Sequence, residues 1–333
     1  MTAKILDGRT VASRLWRDLS DRIAELHERT GATPRLAIVR LDARGPSAVY
    51  AASVWRAARS VGVDAFEIAP PEGVALSDLA ARIGALNRDP SIAGIVVAQP
   101  VPTHLDAAAV VELIDPAKDV DGATPLNAGR IARGERTFVP ATALAVMAIL
   151  RSYGIPIAGK RAVVVGRSAV VGRPAAALLL AADATVQICH RRTRNLARET
   201  RRAEILVVAA GVPHLVRAEM VNRSAVVIDC GINTTPDGIV GDVDFAAVRP
   251  VVGAITPVPG GVGPVTTMML LQQTVDAAER AESSDEPALD RYALPDRALL
   301  AQGDAEPSAS GSSSAISSSG TKPSMNPRRR IVS

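Results

Sequence analysis

Residues 162–174 read Ala-Val-Val-Val-Gly-Arg-Ser-Ala-Val-Val-Gly-Arg-Pro, and their types and spacing suit the binding of a phosphate. The short apolar run 162–165 has the character of a buried parallel strand. It breaks at Gly166 into a polar turn, and an Ala- and Leu-rich helix follows Pro174. Where a strand passes through a glycine turn into a helix N-terminus, free N–H groups and the positive end of the helix dipole face one point, and an anion can sit there. Gly166 lets a ligand approach the backbone, Ser168 can donate to a phosphate oxygen, and Arg167 offers a fork of donors matched to phosphate. The spacing is not G-x-G-x-x-G. Nor is it the G-x-S-x-G turn of serine hydrolases, because Val170 fills the last glycine place. Taken alone, the stretch also reads as an ordinary βα turn with a glycine cap.

The elements that must hold such a turn follow from apolar periodicity. Val11, Leu15, Leu19, Ile23 and Leu26 recur at helical spacing within 9–29. A short apolar run at 36–41 is followed by a helix over 46–61, a strand over 63–69, a helix over 76–87 and a buried strand over 92–98. This β-α-β-α order predicts a parallel sheet covered by helices. Residues 115–140, rich in Asp, Pro, Gly and Asn, read as a functional loop crossing between lobes, and 142–153 as a long apolar helix bridging them. A second α/β unit has candidate strands at 162–165, 185–189, 205–209, 225–229 and 251–255, with helices at 174–182 and 195–202. A Pro- and Gly-rich segment, 256–266, leads into a last helix ending near residue 282. Beyond it, 308–324 is dominated by serine without apolar periodicity, so 283–333 is expected to be a disordered tail.

Composition narrows the function classes. A chain of 333 residues suits about two domains, and its 47% hydrophobic but 2% aromatic content builds cores from Ala, Val, Leu and Ile. The net charge of +4 is spread over both signs, and no basic stripe is interleaved with aromatics, so nucleic acid is not an expected partner. No apolar run reaches the ~18 residues of a membrane helix. No secretory leader is read at the N-terminus. The two cysteines, Cys189 and Cys230, lack metal-like spacing and read as reduced core residues; no metal site is expected and the location is read as cytoplasmic.

Further motifs stand in one order: Lys118-Asp-Val-Asp-Gly122, Pro125-x-Asn127-x-Gly129-Arg130, the Gly166–Pro174 turn, Val227-Ile-Asp-Cys-Gly-Ile-Asn233, Gly241-Asp-Val-Asp244 and Thr256-Pro-Val-Pro-Gly-Gly-Val-Gly-Pro264. Together they resemble the bifunctional methylenetetrahydrofolate dehydrogenase/methenyltetrahydrofolate cyclohydrolase family, of the FolD type, over about residues 3–282. The resemblance implies two α/β lobes flanking a cleft. A folate-binding lobe at 1–140 is joined by the returning segment 256–282, and a Rossmann-like NADP-binding lobe spans 141–255. It implies homodimers and two reactions: hydride passes from 5,10-methylenetetrahydrofolate to NADP+, and water then opens the methenyl product to 10-formyltetrahydrofolate.

On the nucleotide side, the predicted strand 185–189 ends in His190-Arg191-Arg192-Thr193. A site that prefers NAD usually has an acidic residue near this place, bonding the ribose 2′-hydroxyl. Here the run is basic, so Arg191 with Arg167 is expected to hold a 2′-phosphate, with His190 beside it and NADP as cofactor. Ile232 resembles the family residue that meets the cofactor through its backbone. On the folate side, Tyr50 resembles the tyrosine that stacks on the pterin. Asp121 resembles the carboxylate that accepts paired N–H bonds from the amino-pyrimidine edge, and Pro259, Gly260 and Gly261 resemble the wall where folate and nicotinamide meet.

Besides milder changes at Ala141 and in Asp42-Ala-Arg-Gly-Pro-Ser47, two positions that bear on proton transfer depart from the family pattern. The lysine that serves as acid/base of the cyclohydrolase belongs one helical turn after Tyr50, where this chain has Val54. The glutamine that helps hold it belongs two residues before the first proline of the Pro-x-Pro turn, where this chain has Ala98, with Gln99 one residue later. In an extended segment that shift turns the side chain to the other face. The expectation is therefore an NADP-dependent dehydrogenase with weak or absent cyclohydrolase; the alternative is a non-catalytic folate- or NADP-binding paralogue or an interaction protein.

Overall fold

The computed structural model describes residues 3–42, 45–236 and 238–282, apart from the side chain of Pro46; the expected disordered tail 283–333 lies outside the described residues. In chain order the elements are β1 (Lys4–Ile5), α1 (Gly8–Thr30), β2 (Arg35–Val39), α2 (Pro46–Val61), β3 (Asp64–Ile68), α3 (Leu76–Arg88), β4 (Gly94–Val97), α4 (Ala107–Glu112), α5 (Pro125–Ala132) and α6 (Ala141–Ser152). There follow β5 (Arg161–Val165), α7 (Gly172–Ala181), β6 (Thr185–Cys189), α8 (Leu196–Thr200), β7 (Ile205–Val208), β8 (Val226–Asp229), β9 (Asn233–Thr235), β10 (Gly238–Val240), α9 (Phe245–Val248), β11 (Ala254–Ile255) and α10 (Val262–Glu282).

Two parallel sheets result, as the alternating pattern predicts. The first has the order β3-β2-β4 and the second β1-β11-β8-β7-β5-β6. In each, the chain leaves a central strand to one side and returns on the other, so the carboxyl ends of β2 and β4, and of β5 and β7, face a switch of direction. Open α/β sheets bind ligands at such points.

The N-terminal strand differs from the expected division at residue 140. β1 pairs in parallel with β11, Lys4 opposite Ala254, and so completes the second sheet. A two-residue strand carries no period to read. The segment 115–140 also differs from a plain loop, because it contains α5. Thr124 caps that helix through its side chain, Pro125 opens it, and Asn127 and Ile131 face inward.

One apolar cluster spans both lobes, from Leu36, Ile38 and Val96 of the first sheet to Val164, Ile205 and Val207 of the second. Helices α6 and α10 join them. α6 buries Ala141, Ala143, Ala145, Val146, Met147, Ile149 and Leu150, so it is apolar on nearly every side. Each fully buried Leu or Ile contributes about 1.5–3 kcal/mol. At the rim, Arg22 of α1 reaches Asp276 at 2.6 Å and Glu279 at 2.7 Å on α10. Among the described residues no helix is long and apolar enough to cross a membrane.

Candidate active site

The nucleotide-side turn lies at the switch point of the six-stranded sheet. Gly166 follows β5 with φ +123°, and its N–H donates to Cys189 O at the end of β6 (2.9 Å). A Cβ there would lie 2.0 Å from Ala209 O, just beyond β7, so only glycine fits this conformation and this approach. Ser168 Oγ accepts the N–H groups of Val171 (3.2 Å) and Gly172 (3.3 Å), closing the turn onto the start of α7. Arg167 and Ser168 are exposed at its mouth. The end of β6 leads directly to His190, Arg191 and Arg192, whose loop is folded by His190 N–H donating to Thr193 Oγ1 (2.9 Å) and Arg192 N–H donating to His190 Nδ1 (3.2 Å). Arg191 is exposed.

Two buried carboxylates, which sequence reasoning did not single out, shape the neighbouring strand ends. Asp242 accepts the N–H groups of Ala210 (2.6 Å), Gly211 (2.8 Å) and Val212 (2.9 Å) and the Asn233 side-chain amide (2.9 Å). Asp229 accepts the N–H groups of Gly231 (2.9 Å), Asp242 (3.1 Å) and Val243 (2.9 Å). Burial pushes the Asp229 carboxyl up to about 6, and the backbone donors hold it back. The loop so formed leaves Ile232 67% exposed. The Gly231 and Gly241 motifs were the only sequence signal here; nothing in them says which aspartate is the hub.

The other half is built at the carboxyl ends of β2 and β4. Tyr50 stands on α2, half-buried against the apolar cluster, and burial together with the Asp121 charge raises its phenol well above the usual range. The carboxyl of Asp121 is pushed up to about 7 by burial and by the charge of Asp119, against the single N–H bond it accepts from Ala141 (3.3 Å). Tyr50 and Asp121 thus stand within electrostatic reach of one another. The 256–261 turn packs on the start of α1: Gly8 N–H donates to Gly260 O (2.9 Å), and the Arg9 guanidinium packs on Gly260. Gly260 and Gly261 are buried and Pro259 is exposed. Beside this turn a cavity of about 750 Å³ opens, lined by Arg9, Trp16, Arg17, Ser53, Gly263 and Pro264 among others. Its arginines were not singled out from the sequence, since arginines on a surface helix face are ordinarily solvated. A separate cavity of about 520 Å³, at the far end of α10, is lined by Lys118 and Phe138 among others and by none of the residues expected to bind folate or cofactor.

Val54 and Ala98 are both fully buried, and both belong to the cluster that holds Ala51, Val96, Val120 and Ala141. Gln99 is exposed, on the other face from Ala98. Every described lysine is engaged elsewhere. Lys118 donates to the carbonyls of Leu86 (2.9 Å) and Asp89, Lys160 pairs with Glu204 (2.9 Å), and Lys4 lies 5.1 Å from the Tyr153 ring.

Fold and site define a class: a two-lobed α/β protein with a nucleotide-type turn on one sheet and a tyrosine–carboxylate pair on the other. The family profile for the tetrahydrofolate dehydrogenase/cyclohydrolase catalytic domain matches residues 6–121, and that for its NAD(P)-binding domain matches residues 140–282. The chain is 48% identical over 281 residues to the "Bifunctional protein FolD" of Bordetella avium (strain 197N), covering 84% of this chain and 99% of the relative. It resembles the crystal structure of the bifunctional FolD methylenetetrahydrofolate dehydrogenase/cyclohydrolase from Campylobacter jejuni, with TM-score 0.82 and 40% identity over 84% of this chain and 99% of that one. It also resembles the Trypanosoma brucei FolD enzyme complexed with NADP and an inhibitor, with TM-score 0.82 and 38% identity over 85% and 100% of the two chains. The chain belongs to the tetrahydrofolate dehydrogenase/cyclohydrolase family.

Proposed function

We propose that this protein oxidises 5,10-methylenetetrahydrofolate to 5,10-methenyltetrahydrofolate with NADP+, and that its site gives little or no catalysis to the ring opening that would follow. Family membership and the Gly166 turn at the switch point support the oxidation. The full burial of Val54 and Ala98 in one apolar cluster carries the second part.

When bound, NADP+ supplies the hydride acceptor. The chain's residues fit that cofactor: the Gly166 turn offers a close backbone approach for a diphosphate, and Arg167 and Arg191 offer guanidinium forks to a 2′-phosphate. The loop at Ile232, held by Asp229 and Asp242, borders the nicotinamide end. Opposite it, Tyr50 stacks on the pterin, and Asp121, once ionised, accepts paired N–H bonds from its amino-pyrimidine edge. Pro259, Gly260 and Gly261 form the wall that keeps the two rings in contact. Folates carry a glutamate, and Arg9 and Arg17 at the adjoining cavity suit its carboxylates. Hydride transfer needs mainly that the two rings be held in contact geometry, which these residues provide without a proton donor.

Ring opening also needs a proton acceptor and donor. Val54 cannot move a proton, and the engaged positions of Lys4, Lys118 and Lys160 supply no substitute. The exposed edge of β6 has the features of a face closed by a second copy of this chain: Ile188 is 41% exposed on the strand and Leu180 64% exposed on α7. Sedimentation at micromolar concentration tests this, and a monomer refutes it.

The deciding experiment supplies methylenetetrahydrofolate with NADP+ or NAD+ and follows the methenyl and 10-formyl products separately. Accumulation of the methenyl species with NADP+ is expected. Ring opening far above the buffer rate defeats the second part of the proposal. Binding of folate and NADP+ without turnover defeats the first and leaves a binding protein.

A further inference from the structure

Two buried side-chain amides bond to the segment that carries Asp121 on either side of the chain, without a hydrogen bond to Asp121 itself. Asn127 of α5 is fully buried. Its Nδ2 donates to Asp119 Oδ2 (2.8 Å) and to Pro116 O (3.2 Å), and its Oδ1 accepts the Thr137 hydroxyl. Gln273 of α10 is 6% exposed. Its Nε2 donates to Val120 O (2.7 Å) and Val139 O (2.8 Å), and its Oε1 accepts Val139 N–H (2.9 Å). Each amide therefore bridges the same two chain segments, Asn127 joining residues 119 and 137 and Gln273 joining residues 120 and 139. The segments meet without space between them: a Cβ on Gly122 would lie 2.6 Å from the Val139 carbonyl carbon. Immediately beyond both bridges, Ala141 N–H of one segment donates to Asp121 Oδ1 of the other at 3.3 Å.

We propose that Asn127 and Gln273 form a two-sided amide clamp that positions the Asp121 carboxylate for the pterin edge. The inference rests on the folate-binding reading above and extends it to residues that contact no ligand. An amide suits the task because it both donates and accepts, so a single side chain satisfies a carbonyl of each segment and an N–H of one. A hydrocarbon of the same length leaves those backbone groups unpaired in a dry place, and the segments separate to find water. Asp121 receives one long N–H bond from the protein, so the aim of its remaining lone pairs is set by the backbone on either side, and that backbone is what the clamp fixes. An error on the order of 1 Å in such a group costs up to about 10²-fold.

The test uses the full chain with Gln273→Met, similar in length but without the donors and acceptor, and Gln272→Met one position earlier as the control. The expected result is a KM for methylenetetrahydrofolate raised roughly 10-fold or more with KM for NADP+ within about twofold, and no change in either for the control. Loss of folded protein lowers the maximal rate but not a KM, so partial unfolding does not imitate the result. Calorimetric titration with tetrahydrofolate gives the same comparison without turnover, with a Kd weakened roughly 10-fold. A folate KM and Kd unchanged by Gln273→Met, or a rise of both substrate KM values together, overturns the clamp. A wild-type chain that binds tetrahydrofolate without oxidising it defeats the dehydrogenase reading alone; one that binds no tetrahydrofolate defeats both.

Discussion

Restoring the polar pair that the family pattern places at residues 54 and 98 gives a graded gain of function. In Val54→Lys, an ammonium enters a fully buried position in the apolar cluster that also holds Ala51, Val96, Ala98, Val120 and Ala141. An uncompensated buried charge costs about 3–5 kcal/mol, a large share of the 5–15 kcal/mol typical of a domain. Burial also drives the lysine pKa down, and with no acceptor its head group is not held toward the folate. Ala98→Gln alone strands an amide in the same place at about 1–3 kcal/mol. In the pairing that the family pattern implies, the amide oxygen accepts from the lysine; groups in contact couple by about 0.5–3 kcal/mol, so the double variant is expected to be more stable than the sum of the single changes. General acid/base catalysis is worth about 10²–10⁴-fold, or roughly 3–5 kcal/mol at 1.36 kcal/mol per decade. The assay records loss of methenyltetrahydrofolate against appearance of the 10-formyl product above the buffer rate. Ring opening is expected near the buffer rate in the wild type, little changed in Val54→Lys, and raised on the order of 10²-fold in Val54→Lys/Ala98→Gln. A double variant that folds, retains dehydrogenase activity and gains nothing refutes the reasoning.

Three further outcomes follow from the site. Asp121 has a folded pKa of about 7 against an ordinary 3.8, so the folded state holds the extra proton and stability declines as pH rises through that window. Because the ionised form accepts the pterin donors, the folate KM is expected to fall as pH rises from about 6 to 8, and Asp121→Asn to raise that KM and flatten its pH dependence; a profile unchanged in the variant contradicts this. Arg191→Ala removes a charge-assisted contact worth about 1.5–3 kcal/mol, so the KM for NADP+ should rise about 10–100-fold while that for NAD+ stays put, as paired steady-state assays would reveal. In Gly166→Ala the new Cβ meets Ala209 O at 2.0 Å with φ at +123°, strain of roughly 1–3 kcal/mol that should lower Tm by several degrees and weaken NADP+ binding more than tenfold; calorimetry reads both, and an unaffected Kd is the contrary result.

The parts legible in the sequence were those whose signal is local. The Gly166 turn announces itself through an apolar run, a glycine and a helix, and α2 appears at 46–61 as its apolar spacing dictates. Tertiary hubs were not legible. Gln272 and Gln273 are adjacent and identical in type, yet only Gln273 is buried, joined to Val120 and Val139 far away in the chain. Asp229, Asp242 and Asn127 sit inside visible motifs, but their role as acceptors for scattered N–H groups emerges only when the strand ends converge. β1 was missed because two residues cannot show a period, and α5 because its Thr124–Pro125 start lies in a segment whose Gly, Asp and Asn content reads as loop.

Val54 and Ala98 gain their meaning from being together. A buried lysine with nothing to accept its protons is costly, and so is a buried amide with no partner; a site with one of the pair bears a penalty that a site with both, or with neither, avoids. This chain has neither, and the two positions close into apolar packing continuous with the core, with Ala98 N–H still donating to Val39 O at 2.9 Å as an ordinary ladder bond. The substitution is therefore self-consistent at the level of packing, and it leaves Tyr50, Asp121 and the 259–261 wall in place. In the proposed function those groups hold the rings against each other, which is what hydride transfer needs. The proton-moving pair is what ring opening needs. Under the proposed function the two half-reactions separate at the side chain of residue 54, and methenyltetrahydrofolate would leave the site to be hydrolysed in solution or by a separate catalyst that supplies the missing base.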